Sequence, residues 1–589
     1  MGGGLLERSA SRSSVSFDVA KILIVSILVQ TFFLFTSNFT VPGGAAEFFA
    51  FAEALLHGQK VTIPTVATRD IGYPFLLILS GYFVTNSLIG ITLLHAVMGM
   101  LIPIFIYLAI APSSRACAFY TALASIVTLS PFFFVKWIHH DHAYVFFSVV
   151  VVWAFCRFLS TKRPADLYLL TFALIAASLT RPAGNVLFPV LIVVAYVAAR
   201  GPARHYLVCA LIFTAAMGGY GAFRYHIFDM AHRTDTPSYT GQQIFYNLYM
   251  NSKEYGIELS ENLGPHMRQI TESVYQAMLP DPRTSEILKE FTSSEQAPSE
   301  FVQKVTTPFL NKYFYPYSAA DFRSQLYREP NWEYFLLMSV AEPNDQVYLR
   351  ACWEIVKAYP LYPVKYAARN LWRLLYEPGY AHGRFATGPM GRGGQFFPFD
   401  GQAAIGGAAL GAAAAMLSLS PRATREVSFD SLAVQPEWVK QLYGGIKSLW
   451  FATYDPVVRV IFFLSLIAWL YLLFTWAAIE RPAHRLSRRL IAMGGNDLAA
   501  PIVGVSAVLL YNALVTAAFA EPDYRYHDMM LPIKVVLAGF GGIALARLVL
   551  TLAPRGLRRA PSQHPFATTG TLALVLCALW AWYMVRRSA

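Results

Sequence analysis

This chain reads as an all-α polytopic membrane protein with a mixed, mainly helical domain outside the bilayer, and three observations predict it. Hydrophobic residues make up 56% of its 589 residues and charged ones only 14%, an imbalance no soluble globular domain carries. Apolar windows of about twenty residues, the length that spans a hydrocarbon core of about 30 Å, can be placed about eleven times. Between the seventh and eighth windows lies an insertion of about 220 residues, long enough to build a small core of its own. The net charge of +12 is concentrated in short turns between windows. It is therefore read as topology, and no nucleic-acid partner is expected.

The windows fall at 18–36, 84–110, 116–135, 142–159, 167–181, 184–199, 205–227, 456–478, 498–520, 530–552 and 567–585. Arg8 and Arg12 precede the first, and no small-residue cleavage site follows it, so it reads as a retained anchor. Positive charge stays on the cytoplasmic side. With strict alternation from an inside N-terminus, the turns holding Arg115, Lys162 with Arg163, Arg200 with Arg204, Arg481 to Arg489 and Arg555 to Arg559 all fall inside. Only Arg586 and Arg587, after the last window, go against the rule. The chain thus divides into an N-terminal membrane module over 1–227, an outer insertion over 228–455 and C-terminal membrane helices over 456–589.

Within the insertion, Ser285 to Phe291 has a helical pattern, and a stronger one runs from Val347 to Tyr376. Pro360 and Pro363 should break or kink the latter, since each lacks an amide donor. The stretch "GYAHGRFATGPMGRGGQFFPFDGQ" reads as a loop, and the Gly/Ala run from Ala403 to Met416 as a linker or a weak surface helix. Five cysteines are scattered without disulfide or zinc spacing.

The first outer loop, 37–83, is the stretch that carries chemistry. Ala46 to His57 places Phe48, Phe51, Ala52, Leu55 and Leu56 on one helical face, as an amphipathic helix at an interface would. Glu47 at its start is either a first-turn charge favoured by the helix dipole or a catalytic base. Ionisable groups at membrane depth are costly and gather where they line a cavity. In this chain Glu47, Arg69, Asp70, Lys136, His139, His140, Asp141, His142, Arg181, Arg224, Glu521, Asp523, Arg525, His527 and Asp528 all fall on the outer ends of windows or in outer loops, with Tyr73, Tyr524 and Tyr526 beside them. Asp141, in "KWIHHDHAYV", is a polar turn residue or a second carboxylate facing Glu47. His139 and His142, three apart, could share a helical face and hold a divalent cation with Asp141; no cofactor is otherwise indicated. Arg181 in "TRPAG" and Arg525 in "YRYHDMMLP" are snorkelling side chains or a pair of forks for a lipid phosphate. His95, alone in the second window, reads as a core histidine.

The order of "AEFFAFAEALLHG" and "RDIGYPFLL", a carboxylate in the second outer loop, "TRPAG", "ACWEIVKAYPLYPVKY" and the late "YRYHDMMLP" resembles the GT-C glycosyltransferases, nearest the bacterial relatives of protein O-mannosyltransferases and lipid A aminoarabinose transferases. The resemblance covers the first 200 residues and the late loop, and little of the insertion. It implies a GT-C type fold in the bacterial inner membrane and transfer, with inversion, of a sugar from a polyprenyl-phosphate donor to a lipid, glycan or protein acceptor on the extracytoplasmic side. It also implies a carboxylate base at Glu47, a second carboxylate at Asp141 and phosphate-binding arginines at Arg181 and Arg525. Gly44 stands where many relatives carry an aspartate, so Glu47, Asp70 and Asp141 all stay open as the base. A lipid-linked saccharide flippase and a polysaccharide polymerase or ligase are the competing readings; paired inverted halves with broken helices, the mark of many transporters, are not evident in the sequence.

Overall fold

In the computed structural model the described residues are 3–37, 45–60, 69–129, 134–182, 184–227, 252–257, 263–270, 345–375, 420–428, 434–480, 495–519 and 524–552, with a few single positions between them. Among them there is no strand. The helices in chain order are α1 (Gly3–Thr36), α2 (Ala45–His57), α3 (Gly72–Leu79), α4 (Tyr82–Thr85), α5 (Ile89–Ile110), α6 (Arg115–Val127), α7 (Asp141–Thr161), α8 (Pro164–Thr180), α9 (Gly184–Ala199), α10 (Ala203–Ile227), α11 (Asp345–Ala358), α12 (Leu361–Leu375), α13 (Pro421–Ser428), α14 (Glu437–Glu480), α15 (Gly495–Phe519) and α16 (Tyr524–Leu552).

Among the described residues seven helices are long and apolar enough to cross a membrane: α1, α5, α7, α10, α14, α15 and α16. Helices α6, α8 and α9 stand where three further spans are predicted but hold only 13, 17 and 16 residues. α6 ends at Val127, and the chain leaves it through Thr128 and the left-handed Leu129, at φ 58°. The span predicted at 567–585 lies outside the described residues, as do the Ser285–Phe291 helix, the loop at 379–402 and the Gly/Ala run.

The bundle is built on α5, α7 and α16, against which α1, α6, α8, α14 and α15 pack. α16 is the most enclosed span. Small residues let the backbones meet: a side chain at Gly541 of α16 would overlap the Leu464 carbonyl of α14, the contact lipid-embedded helices use in place of a hydrophobic drive. At one end of the bundle, buried charge is neutralised in pairs. Arg115 Nε donates to Asp18 Oδ2 at 2.5 Å with the Tyr107 hydroxyl donating to the same oxygen, and Arg157 Nε donates to Asp166 Oδ1 at 2.6 Å. The opposite end, where α7 begins and α8 and α10 finish, holds the carboxylates and bases discussed below.

The predicted helix over 347–376 is two helices. Tyr359 and Pro360 separate α11 from α12, while Pro363 sits in the first turn of α12, where its missing donor costs nothing. α12 packs along α15 and α16. Asn370 donates to the Ala517 carbonyl at 3.3 Å, and the buried Lys534 of α16 donates to the Leu374 carbonyl. The domain limit drawn at 455 falls inside the continuous helix α14, which begins at Glu437.

α13 returns to the N-terminal module. Glu426 accepts from the Ser87 hydroxyl at 2.6 Å and from the Leu88 amide at 2.7 Å, so its carboxylate caps the start of α5.

Candidate active site

Five elements deliver polar side chains to one end of the bundle. α2 forms as its apolar spacing predicts, and buries Phe48, Phe51 and Ala52; Leu56, assigned to the same face, is instead exposed. That leaves Glu47, in the first turn, beside Arg69, whose Nε donates to Glu47 Oε2. The Arg69 guanidinium also lies over the Phe48 ring, 5.3 Å from its centre. Phe48 is the hub: Tyr73, His139 and His140 stand edge-on or tilted around it at 5.2, 5.4 and 5.1 Å between ring centres.

Behind this ring sits the buried carboxylate of Asp141, 2% exposed, at the N-terminus of α7. His139 Nδ1 lies 2.9 Å from Oδ2 and His140 Nε2 lies 3.6 Å from Oδ1. The His139 contact is close but is not aligned as a hydrogen bond. Burial, with His139 beside it, holds the His140 imidazole well below the usual histidine range. Arg181, the C-cap of α8, brings Nη1 to 3.8 Å from Asp141 Oδ1. Its guanidinium lies over Tyr144 at 5.4 Å and reaches the Met529 sulfur at 3.7 Å.

Asp70 forms a second node. The Tyr220 hydroxyl donates to Oδ1 at 3.3 Å, and Arg224 Nη1 lies 3.8 Å away. Desolvation outweighs these neighbours, so the carboxyl is raised from 3.8 to about 6. The Tyr73 hydroxyl is buried without a hydrogen-bond partner among the described residues, and burial together with the Asp141 charge pushes it well above the usual phenol range. The approach of α3 to α8 makes this possible. Gly72 lies so close to the Leu179 carbonyl that a Cβ there would come within 2.6 Å of its oxygen.

The structure therefore brings together Glu47, Arg69, Asp70, Tyr73, His139, Asp141 and Arg181, all of which the sequence singles out. His142 is a correction. α7 begins at Asp141, so His139 precedes the helix and the pair does not share a helical face. His142 turns inward instead, its Nε2 at 2.9 Å from the His95 carbonyl and its ring 5.1 Å from the His95 ring. The side chains of Tyr524, Arg525 and Tyr526 lie outside the described residues. In the backbone of α16, Arg525 stands one helical turn before Met529.

Tyr220, His140 and Phe48 complete the site without having been assigned to it. Tyr220 and Arg224 could have been paired from their four-residue spacing near the end of α10; His140 stands among the ionisable residues that the sequence groups at the outer ends of the windows. Nearby, Lys136 Nζ donates to the Ser37 carbonyl at 2.6 Å, and burial lowers it to about 8.

No family model, curated protein or solved structure matches this chain.

Proposed function

We propose that this chain is an inverting glycosyltransferase of the bacterial inner membrane. It moves a sugar from a polyprenyl-phosphate donor to an acceptor hydroxyl on a glycolipid, glycan or protein, at an extracytoplasmic site, with about eleven spans of GT-C type. The observation that supports this reading is the convergence of three carboxylates and three arginines, from α2, the loop before α3, α7, α8 and α10, at one end of an apolar bundle. A lipid-borne phosphate reaches such an end laterally, and fixed guanidinium groups offset its growing charge as it leaves.

Exposure separates the three carboxylates. The Glu47 side chain is 21% exposed, against 8% for Asp70 and 3% for Asp141. Only Glu47 is open to an incoming acceptor, so it is assigned as the base. The donor phosphate competes for the Arg69 guanidinium and frees the Glu47 carboxylate, which takes the acceptor proton. The acceptor oxygen bonds to the anomeric carbon as the bond from that carbon to the lipid phosphate breaks. Arg181 receives the phosphate, and Asp141 positions Arg181.

The test is release of lipid phosphate by purified protein from a panel of polyprenyl-phosphate sugars, with and without acceptor. Release should require acceptor, and Glu47→Gln should lower it by at least about a hundredfold, the low end of what a general base supplies. Asp141→Asn should raise the KM for the donor more than it lowers kcat. Inactivity on every donor, with the same lipids carried across vesicle membranes, refutes transfer and makes the chain a transporter.

A further inference from the structure

The densest group of metal-ligating atoms among the described residues is not the set the sequence suggests. One ligand atom each from His139, His140 and Asp141 lies within 4.8 Å of the others. The two imidazoles face each other at 4.1 Å between ring centres, and one approaches each oxygen of the same carboxylate. His139 and Asp141 are 7% and 2% exposed.

We propose that His139, His140 and Asp141 form a site for one divalent transition metal, with zinc as the first choice. Two neutral imidazoles and one carboxylate suit zinc, and three protein ligands leave a further position open to water or an anionic oxygen. Ligand atoms about 2.0–2.2 Å from a common ion stand about 3.3–3.6 Å apart in a tetrahedron. The three ligand atoms, one from each residue, lie within 4.8 Å of one another, so side-chain adjustments of about an ångström reach that arrangement.

Two features around the three residues set what the ion could do. Arg181 stands beside the three residues, its Nη1 3.8 Å from the Asp141 carboxylate. Ion and guanidinium would together present two cationic groups to one anion, so the bound metal should increase affinity for phosphate. The Phe48 ring packs against both imidazoles, 5.4 and 5.1 Å from their centres. This proposal concerns binding and stands whether or not the chain transfers sugar.

The experiment titrates untagged, chelator-treated full-length protein with Zn²⁺ by calorimetry, and records the visible spectrum of the Co²⁺-loaded form. One equivalent of Zn²⁺ should bind, and Co²⁺ should give the intense ligand-field bands of a four- or five-coordinate nitrogen and oxygen site. His140→Ala and Asp141→Asn should each weaken Zn²⁺ by at least about a hundredfold, because even residues outside the ligand sphere are worth about 10- to 100-fold. Glu47→Gln should leave it unchanged. Adding Zn²⁺ should raise the melting temperature of the wild type and not of the variants. If a variant fails to fold, the Co²⁺ spectrum of the wild type decides the matter. Absence of stoichiometric binding, a six-coordinate all-oxygen spectrum, or unchanged affinity in folded His140→Ala overturns the site.

Discussion

Replacing Asp70 by asparagine should make the protein more tolerant of neutral pH, even though it deletes an ion pair. In the wild type, burial raises this carboxyl from 3.8 to about 6 in spite of Arg224 at 3.8 Å and the Tyr220 hydroxyl at 3.3 Å. A folded-state value above the unfolded one means that the folded protein binds the proton more tightly between those two values. The resulting stability is complete below about pH 4 and is lost as pH rises through about 6. The gap is worth about 3 kcal/mol at about 1.4 kcal/mol per tenfold change in proton affinity. For a cooperative unit of about 300 residues, that is about 5 °C in melting temperature. The assay is thermal unfolding of detergent-purified wild type and Asp70→Asn at intervals from about pH 4 to about pH 7. Asparagine does not titrate, so the advantage of the wild type over the variant should shrink by about 3 kcal/mol across that window. A constant difference, or one that grows with pH, refutes the reasoning. It would mean that the arginines outweigh desolvation at this carboxyl.

Three further substitutions test other parts of the structure. Gly72→Ala places a Cβ within 2.6 Å of the Leu179 carbonyl oxygen; it should cost about 1–3 kcal/mol, seen as a lower melting temperature, and reduce turnover by moving Arg69 to Tyr73 away from α8. Tyr144→Phe removes the hydrogen bond to Asn512 Oδ1 at 2.6 Å and keeps the ring beneath Arg181. It should lower stability by about 1 kcal/mol and leave donor KM within about twofold of wild type. Glu426→Ala uncaps α5 and should cost about 1–3 kcal/mol, read by faster amide exchange at residues 88–90.

Much of the architecture was legible because membrane burial requires the same thing of every span: an uninterrupted apolar run. Seven of the predicted spans stand as helices long and apolar enough to cross a membrane, and three more hold shorter apolar helices. α6 ends at Val127, and Pro360 divides the helix in the insertion as its missing amide donor predicts. The candidate site was legible in part because charged side chains are too costly to bury at random, so their positions along the spans already grouped them. Which of them touch was not legible. That Phe48 gathers two histidines, or that Tyr220 meets Asp70, depends on how α2, α7 and α10 cross, and spacing within one helix carries no record of another. His142 was misjudged because a shift of two residues in where α7 begins decides which histidines face Asp141.

The cap on α5 has a consequence for how the protein is made. The carboxylate that satisfies Leu88 arrives 338 residues later in the chain. At about 5–20 residues per second of synthesis, the start of this central helix waits roughly 20 to 70 seconds for its partner, long after its own span has left the ribosome. Until Glu426 emerges, that amide lacks its carboxylate cap. Docking of α13 is thus a late step of biogenesis, one that joins a finished N-terminal half to a C-terminal half still being synthesised.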